Sequence, residues 1–152
     1  MELEEYIVLV ILKMESNKGY EIDGAMMKWF KGKPHPYDCV DFQTNTSLYE
    51  VKGCNFLNRN PNGNHKRKYV DKPHKQIVST RFGRFFIKNY NHIALKSAAD
   101  KANKIPKYIF VLLIGKQKVF RVKSWEFVDN LITGNSNQCA VLIKDIFGDG
   151  II

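Results

Sequence analysis

Glu50, Val51 and Lys52 close the run LYEVK, and along a β-strand successive side chains alternate faces. The acid and the base therefore lie side by side while Val51 points away. Two further carboxylates, Asp38 and Asp41, sit just upstream in YDCVDF. If the chain folds back through QTNTS, one of these aspartates comes within reach of Glu50, giving two carboxylates on adjacent strands. Such a pair suits a hard divalent cation such as Mg²⁺, which retains several waters and takes up a substrate phosphate oxygen. A lysine beside it eases ionisation of a water and neutralises charge that develops on a phosphoryl group. The chemistry this combination fits is phosphodiester hydrolysis. Taken alone, Glu50 and Lys52 are equally an ordinary ion pair on a solvated strand face.

The elements that must position these residues follow from periodicity. Leu3, Tyr6, Ile7, Val10, Ile11 and Met14 have the spacing of an amphipathic helix over residues 2 to 15. A second helix is expected from Tyr20 to Phe30, ended by the prolines of GKPHP. The period then becomes that of strands, and Asp38 to Gly53 reads as a β-hairpin. Residues 55 to 76, rich in Asn, Gly, Pro, Lys, Arg and His, read as a long basic loop, and such loops inside compact domains are more often functional than decorative. Arg81 to Ile87 is expected to be a short strand, and Asn91 to Lys104 a helix begun by an Asn cap and closed by Pro106. Tyr108 to Ile114 has the continuous apolar character of a strand buried on both faces, with KVFRVKSW as its partner. WEFVDNLI reads as a further helix, and the tail VLIKDIFGDGII as an edge strand or an extended segment. The fold class is α/β, a central mixed β-sheet flanked by helices.

The chain of 152 residues is expected to form one domain, with a formal net charge of +9 and a sequence pI of about 9.5. That balance is the electrostatic footprint of a partner rich in phosphate, although an anionic membrane surface would satisfy the same number. The most apolar run, Tyr6 to Leu12, falls far short of the roughly 20 residues of a spanning helix. Glu2, Glu4 and Glu5 precede it where a signal peptide carries positive charge. No membrane association and a cytoplasmic location are the expectation. Cys39, Cys54 and Cys139 lack CxxC spacing and read as reduced packing residues.

Asp38, with Pro36 shortly before it and Glu50-Val51-Lys52 twelve residues on, resembles the PD-(D/E)xK nuclease motif. The order of a leading helix, a hairpin, a helix and two more strands is similar to the core of that superfamily, the restriction-endonuclease-like fold. Within it the chain looks most like the small, blunt-cutting type II restriction endonucleases, where an Asp-x-Val-Asp segment leads shortly to Tyr-Glu-x-Lys. Here these are Asp38-Cys39-Val40-Asp41 and Tyr49-Glu50-Val51-Lys52. The resemblance implies that Asp38, Glu50 and the Val51 backbone carbonyl hold Mg²⁺, for which Mn²⁺ substitutes, with no organic cofactor. It implies that Lys52 orients or activates the attacking water and that Glu21 is an additional acidic residue. Tyr37 stands at the motif's proline position, and Asp41 competes with Asp38: a two-residue turn at Asn45-Thr46 sets Asp41 opposite Glu50, while the motif favours Asp38.

The implied organisation is a single nuclease domain over 1–152, with N-terminal helices in 1–30, a catalytic core over 36–128 and a basic insertion over 53–80. Expected contacts to double-stranded DNA are Asn58, Arg59, Asn64, His65, Lys66, Arg67, Lys68, Lys72, Lys75, Arg81 and Arg84, the asparagines and His65 as readers of base edges. The expected function is Mg²⁺-dependent, sequence-specific DNA cleavage, and cutting both strands calls for a homodimer. The alternatives are a structure-selective nuclease such as a Holliday junction resolvase and a non-catalytic DNA-binding protein. His35, His65, His74 and His92 do not have metal-ligand spacing and read as surface or capping residues; Trp29 and Trp125 read as core.

Overall fold

The structure is a computed structural model that describes residues 19–37, 39–60, 79–132 and 138–148. The helix expected over residues 2 to 15 lies outside them. In chain order the elements are α1 (Gly19–Trp29), β1 (Phe42–Gln43), β2 (Ser47–Asn55), β3 (Leu57–Asn60), β4 (Ser79–Phe82), β5 (Arg84–Lys88), α2 (Asn89–Ala102), β6 (Ile105–Ile114), β7 (Gln117–Ser124), α3 (Trp125–Ile132), β8 (Gln138–Leu142) and α4 (Ile143–Phe147).

A mixed four-stranded sheet in the order β1-β2-β6-β7 forms the centre. β1 and β2 are antiparallel, β2 and β6 are parallel over their whole length, and β6 turns back into antiparallel β7. A parallel pair needs a crossover connection, and α2 lies within it, between β5 and β6. The period-two alternation of β6 explains why its sequence is apolar throughout. Tyr108, Phe110 and Leu112 enter one core, with Leu95 and Ala99 of α2, Val128 of α3 and Ile146 of α4. Ile109, Val111 and Leu113 enter the other, with Ile22 and Met26 of α1. Helices thus cover both faces, and a large-to-small change at a fully buried ring such as Phe110 is of the class that costs ~3–5 kcal/mol.

The segment expected to be a loop insertion over 53–80 is structured at both ends. Residues 53–55 complete β2, and Leu57–Asn60 pairs with Ser79–Phe82 as an antiparallel ribbon. The strand expected over Arg81 to Ile87 is broken at Gly83. Its backbone sits so close to the end of β2 that a Cβ there would fall on the Asn55 carbonyl oxygen. β4 therefore ends in the ribbon, and β5 begins a separate pairing with β8, so the tail's edge strand lies at Gln138–Leu142 and is followed by a short helix.

Three local expectations are corrected. α2 starts at Asn89 after Lys88, without a side-chain cap, and stops at Asn103 in the left-handed conformation, leaving Pro106 inside β6. Trp29 is exposed rather than core: it continues the Ile22-Met26 stripe but is the last residue of α1, where it touches Phe120 only edge-on. His92 is buried rather than on the surface. Its Nδ1 lies 2.7 Å from the Tyr108 hydroxyl, its Nε2 3.0 Å from Asp129 Oδ1, and its ring stacks on Trp125.

Candidate active site

The hairpin register decides which carboxylate meets Glu50. Phe42 pairs with Tyr49 and Gln43 with Leu48, which places the two-residue turn at Asn45-Thr46; Thr44 N–H donates to the Ser47 carbonyl at 2.9 Å to close it. One step further from the turn, Asp41 comes opposite Glu50. The ladder changes character there: Asp41 N–H donates to the Tyr49 carbonyl at 2.8 Å, and Asp41 Oδ2 accepts from Val51 N–H at 2.6 Å. A side chain has replaced the backbone partner, so β1 stops and the edge of β2 from Val51 onward opens into a cleft of about 280 Å³. Asp23, Asp41, Glu50, Val51, Cys54 and Asn55 line it. Because the N–H and C=O of one strand residue point to the same edge, the Val51 carbonyl faces this cleft as well.

Glu50 and Lys52 share a strand face, as their spacing predicts. Lys52 Nζ lies 3.2 Å from Glu50 Oε1, and the side chains are only 21 % and 12 % exposed. A solvated strand-face pair is not what the structure contains. Glu50 Oε2 is buried without a hydrogen-bond partner among the described residues. Burial, then the charge of Asp41, pushes the Glu50 carboxyl up to about 8, with Lys52 acting in the opposite direction.

Asp23 is the residue that sequence reasoning missed. Burial, then the charge of Asp41 and a hydrogen bond to it, raises Asp23 to about 7. That hydrogen bond acts on Asp41 the other way, as does the Val51 N–H, while burial still leaves Asp41 above the ordinary carboxylate range. Of the two, Asp23 is the carboxyl that the shared hydrogen bond and the charge of its partner push toward the protonated form, with Asp41 as the acceptor. Position gave little signal: Asp23 lies on the flank of the stripe defined by Ile22 and Met26, where solvated acids are common, and only the packing of α1 brings it into the cleft.

Three carboxylates and one lysine around a half-buried cleft leave a deficit of positive charge, and burial with mutual repulsion raises the three carboxyls accordingly. Asp23, Asp41, Glu50 and the Val51 carbonyl offer oxygen donors alone, the ligand type that a hard divalent cation takes. Among the described residues no three His, Cys, Asp or Glu side chains are grouped as a ready-made cage; Asp23 and Asp41 are instead tied to each other. Burial pushes the Cys54 thiol in the cleft up to about 12.

Among the other expected site residues, Asp38 lies outside the described residues, as do Asn64, His65, Lys66, Arg67, Lys68, Lys72 and Lys75. Glu21 falls in the first turns of α1, Asn58 and Arg59 on β3 and Arg81 on β4. Arg84 begins β5 with its side chain exposed. Among the described residues no helix is long and apolar enough to cross a membrane. No protein-family model, no curated protein and no solved structure matches the chain.

Proposed function

We propose that the chain is a Mg²⁺-dependent DNA endonuclease of the PD-(D/E)xK class that hydrolyses phosphodiester bonds, with double-stranded, sequence-specific cleavage as its activity. The observation that carries this reading is the Glu50-Lys52 pair, withdrawn from water at the lip of a carboxylate-lined cleft, with Asp41 set opposite by the hairpin register. Asp41, Glu50 and the Val51 carbonyl would hold the cation, with Asp23 beside them and Asp38 the residue the motif prefers. When bound, Mg²⁺ supplies the positive charge that the crowded carboxylates lack and that a phosphate diester requires.

The chain's own groups do the positioning. Lys52 has three N–H donors, and the contact to Glu50 Oε1 occupies one of them. The remaining N–H groups, for which no partner is seen among the described residues, would hold a water oxygen and offset charge building on the phosphoryl oxygens. Glu50 in turn fixes the ammonium, so the donor is aimed before substrate arrives. Attack of that water on phosphorus, with departure of the 3′ oxygen, leaves a 5′-phosphate. A homodimer would supply the second site needed for a double-strand cut.

Supercoiled plasmid incubated with and without Mg²⁺ tests the reading, alongside Glu50→Ala and Lys52→Ala. Divalent-dependent nicking or linearisation that both substitutions abolish is the expected result. Cleavage that survives both removes the proposed site. Salt-sensitive binding without any cutting across many sequences would make the chain a non-catalytic DNA binder, and cutting confined to four-way junctions would make it a structure-selective nuclease.

A further inference from the structure

From Val51 to Ala99 the chain carries eleven of its 24 Lys and Arg but only one of its 15 Asp and Glu, Asp71; the rest, with 13 against 14, is near neutral. The net positive charge therefore belongs to the segment that runs from the candidate catalytic strand through the ribbon, β5 and α2. Within its described part, the outer face of β5 alternates base, ring, base: Arg84, Phe86 and Lys88 are exposed while Phe85 and Ile87 enter the core. The chain passes directly into α2, where Tyr90 and Ile93, one turn apart, extend the same apolar exposure. Phe86 is 53 % and Tyr90 65 % exposed. Lys88 Nζ stands 5.9 Å from the Tyr90 ring centroid.

Exposed aromatic rings spaced between cations mark an interaction surface. We propose that this face binds unpaired nucleotides of a single-stranded nucleic acid, whose bases stack on Phe86 and Tyr90 while Arg84 and Lys88 take the phosphates. Every base has a π-face, and duplex stacking hides it, so rings presented in this way select strands whose bases are free. The charge argues against a second copy as the occupant: a two-fold contact through this patch would bring the cations Arg84 and Lys88 toward their own symmetry mates. The face also adjoins the candidate active site. Gly83, immediately before Arg84, packs on Asn55 and Cys54, both of which line the cleft. The binding face thus lies beside the cleft, and only the use of that proximity, for a stretch of duplex opened at the cut, rests on the nuclease reading; the binding itself does not.

The test is fluorescence anisotropy in EDTA, so that cleavage plays no part, with a labelled single-stranded oligonucleotide and the same sequence as duplex. Phe86→Ala with Tyr90→Ala is expected to weaken single-strand binding by about tenfold or more while changing duplex binding little. Phe86→Tyr should restore it, since the ring is kept. Both positions are exposed, and an unchanged thermal melt verifies the fold. Equal single-strand affinity in wild type and the double variant overturns the proposal. So does a dimer in size-exclusion chromatography that the double variant dissociates without loss of single-strand affinity. Failure of plasmid cleavage with intact single-strand binding counts against the nuclease alone.

Discussion

Asp41 Oδ2 accepts a 2.6 Å hydrogen bond from the Val51 N–H, ending the β1 ladder and exposing the edge of β2 that carries Glu50 and Lys52. A charged acceptor on a part-buried backbone donor is among the stronger single hydrogen bonds, worth about 1.5–3 kcal/mol. Asp41→Ala is therefore expected to lower stability by ~1–3 kcal/mol in urea denaturation and to abolish divalent-dependent cleavage. Asp38→Ala decides between the register and the motif. If it alone abolishes cutting and Asp41→Ala retains it, the motif assignment holds and Asp41 is structural.

Glu50 and Asp23 make stability depend on pH. Their carboxyls stand near 8 and 7 in the folded chain against ordinary values of 4.5 and 3.8. Between those limits the native protein binds protons that the unfolded chain has released, so unfolding free energy falls as pH rises from about 4 to 8. Denaturation in the absence of divalent cations should show a decline on the order of a few kcal/mol over that window. Glu50→Gln should flatten it and stabilise the protein at pH 8 by ~1–2 kcal/mol, the usual cost of a site kept for function. A decline unaltered in Glu50→Gln would place the titrating groups elsewhere.

A cation bound as proposed would displace the same protons. Calorimetry in buffers of different ionisation enthalpy is expected to show protons released on Mg²⁺ binding at pH 7, with affinity rising between about pH 6 and 8. Asp23→Asn keeps a donor to Asp41 but removes one titration, and should reduce the proton count. Mg²⁺ binding without proton release would show that the ion does not enter this cleft.

Gly83 is required by space. A Cβ at this position meets the Asn55 carbonyl oxygen, which is backbone and cannot move without disturbing the end of β2. Gly83→Ala is expected to cost ~1–3 kcal/mol by overpacking and to weaken the candidate activity, since Asn55 lines the cleft. An unchanged urea midpoint would mean that the ribbon swings freely about Gly83.

His92 ties α2 to β6 and α3 through Tyr108 and Asp129, and burial holds its imidazole below the ordinary 6.5 despite the pull of Asp129. A group kept neutral in this way stabilises the fold above pH 6.5, and that stability is lost as pH falls. His92→Ala should cost ~2–4 kcal/mol at pH 7.5 and show a weaker loss below pH 6.5 than wild type in thermal melts. An acid transition identical in both proteins would exclude His92 as its origin.

Local pattern was enough for much of this protein. The spacing of Glu50 and Lys52 puts them on one strand face whatever surrounds them, Asn45-Thr46 marks the turn, and the apolar run of β6 announces a strand covered on both sides. These are consequences of the strand period and turn chemistry, which act over a few residues. Neighbours distant in the chain decided the rest. Asp23 joins the site only because α1 packs its Ile22-Met26 stripe against β2, and burial there moves its proton affinity. The strand break at Gly83 depends on contact with Asn55, and the burial of His92 on Tyr108, Trp125 and Asp129 closing around it. Periodicity names the face a residue points to; only packing settles what it meets there and how much water remains.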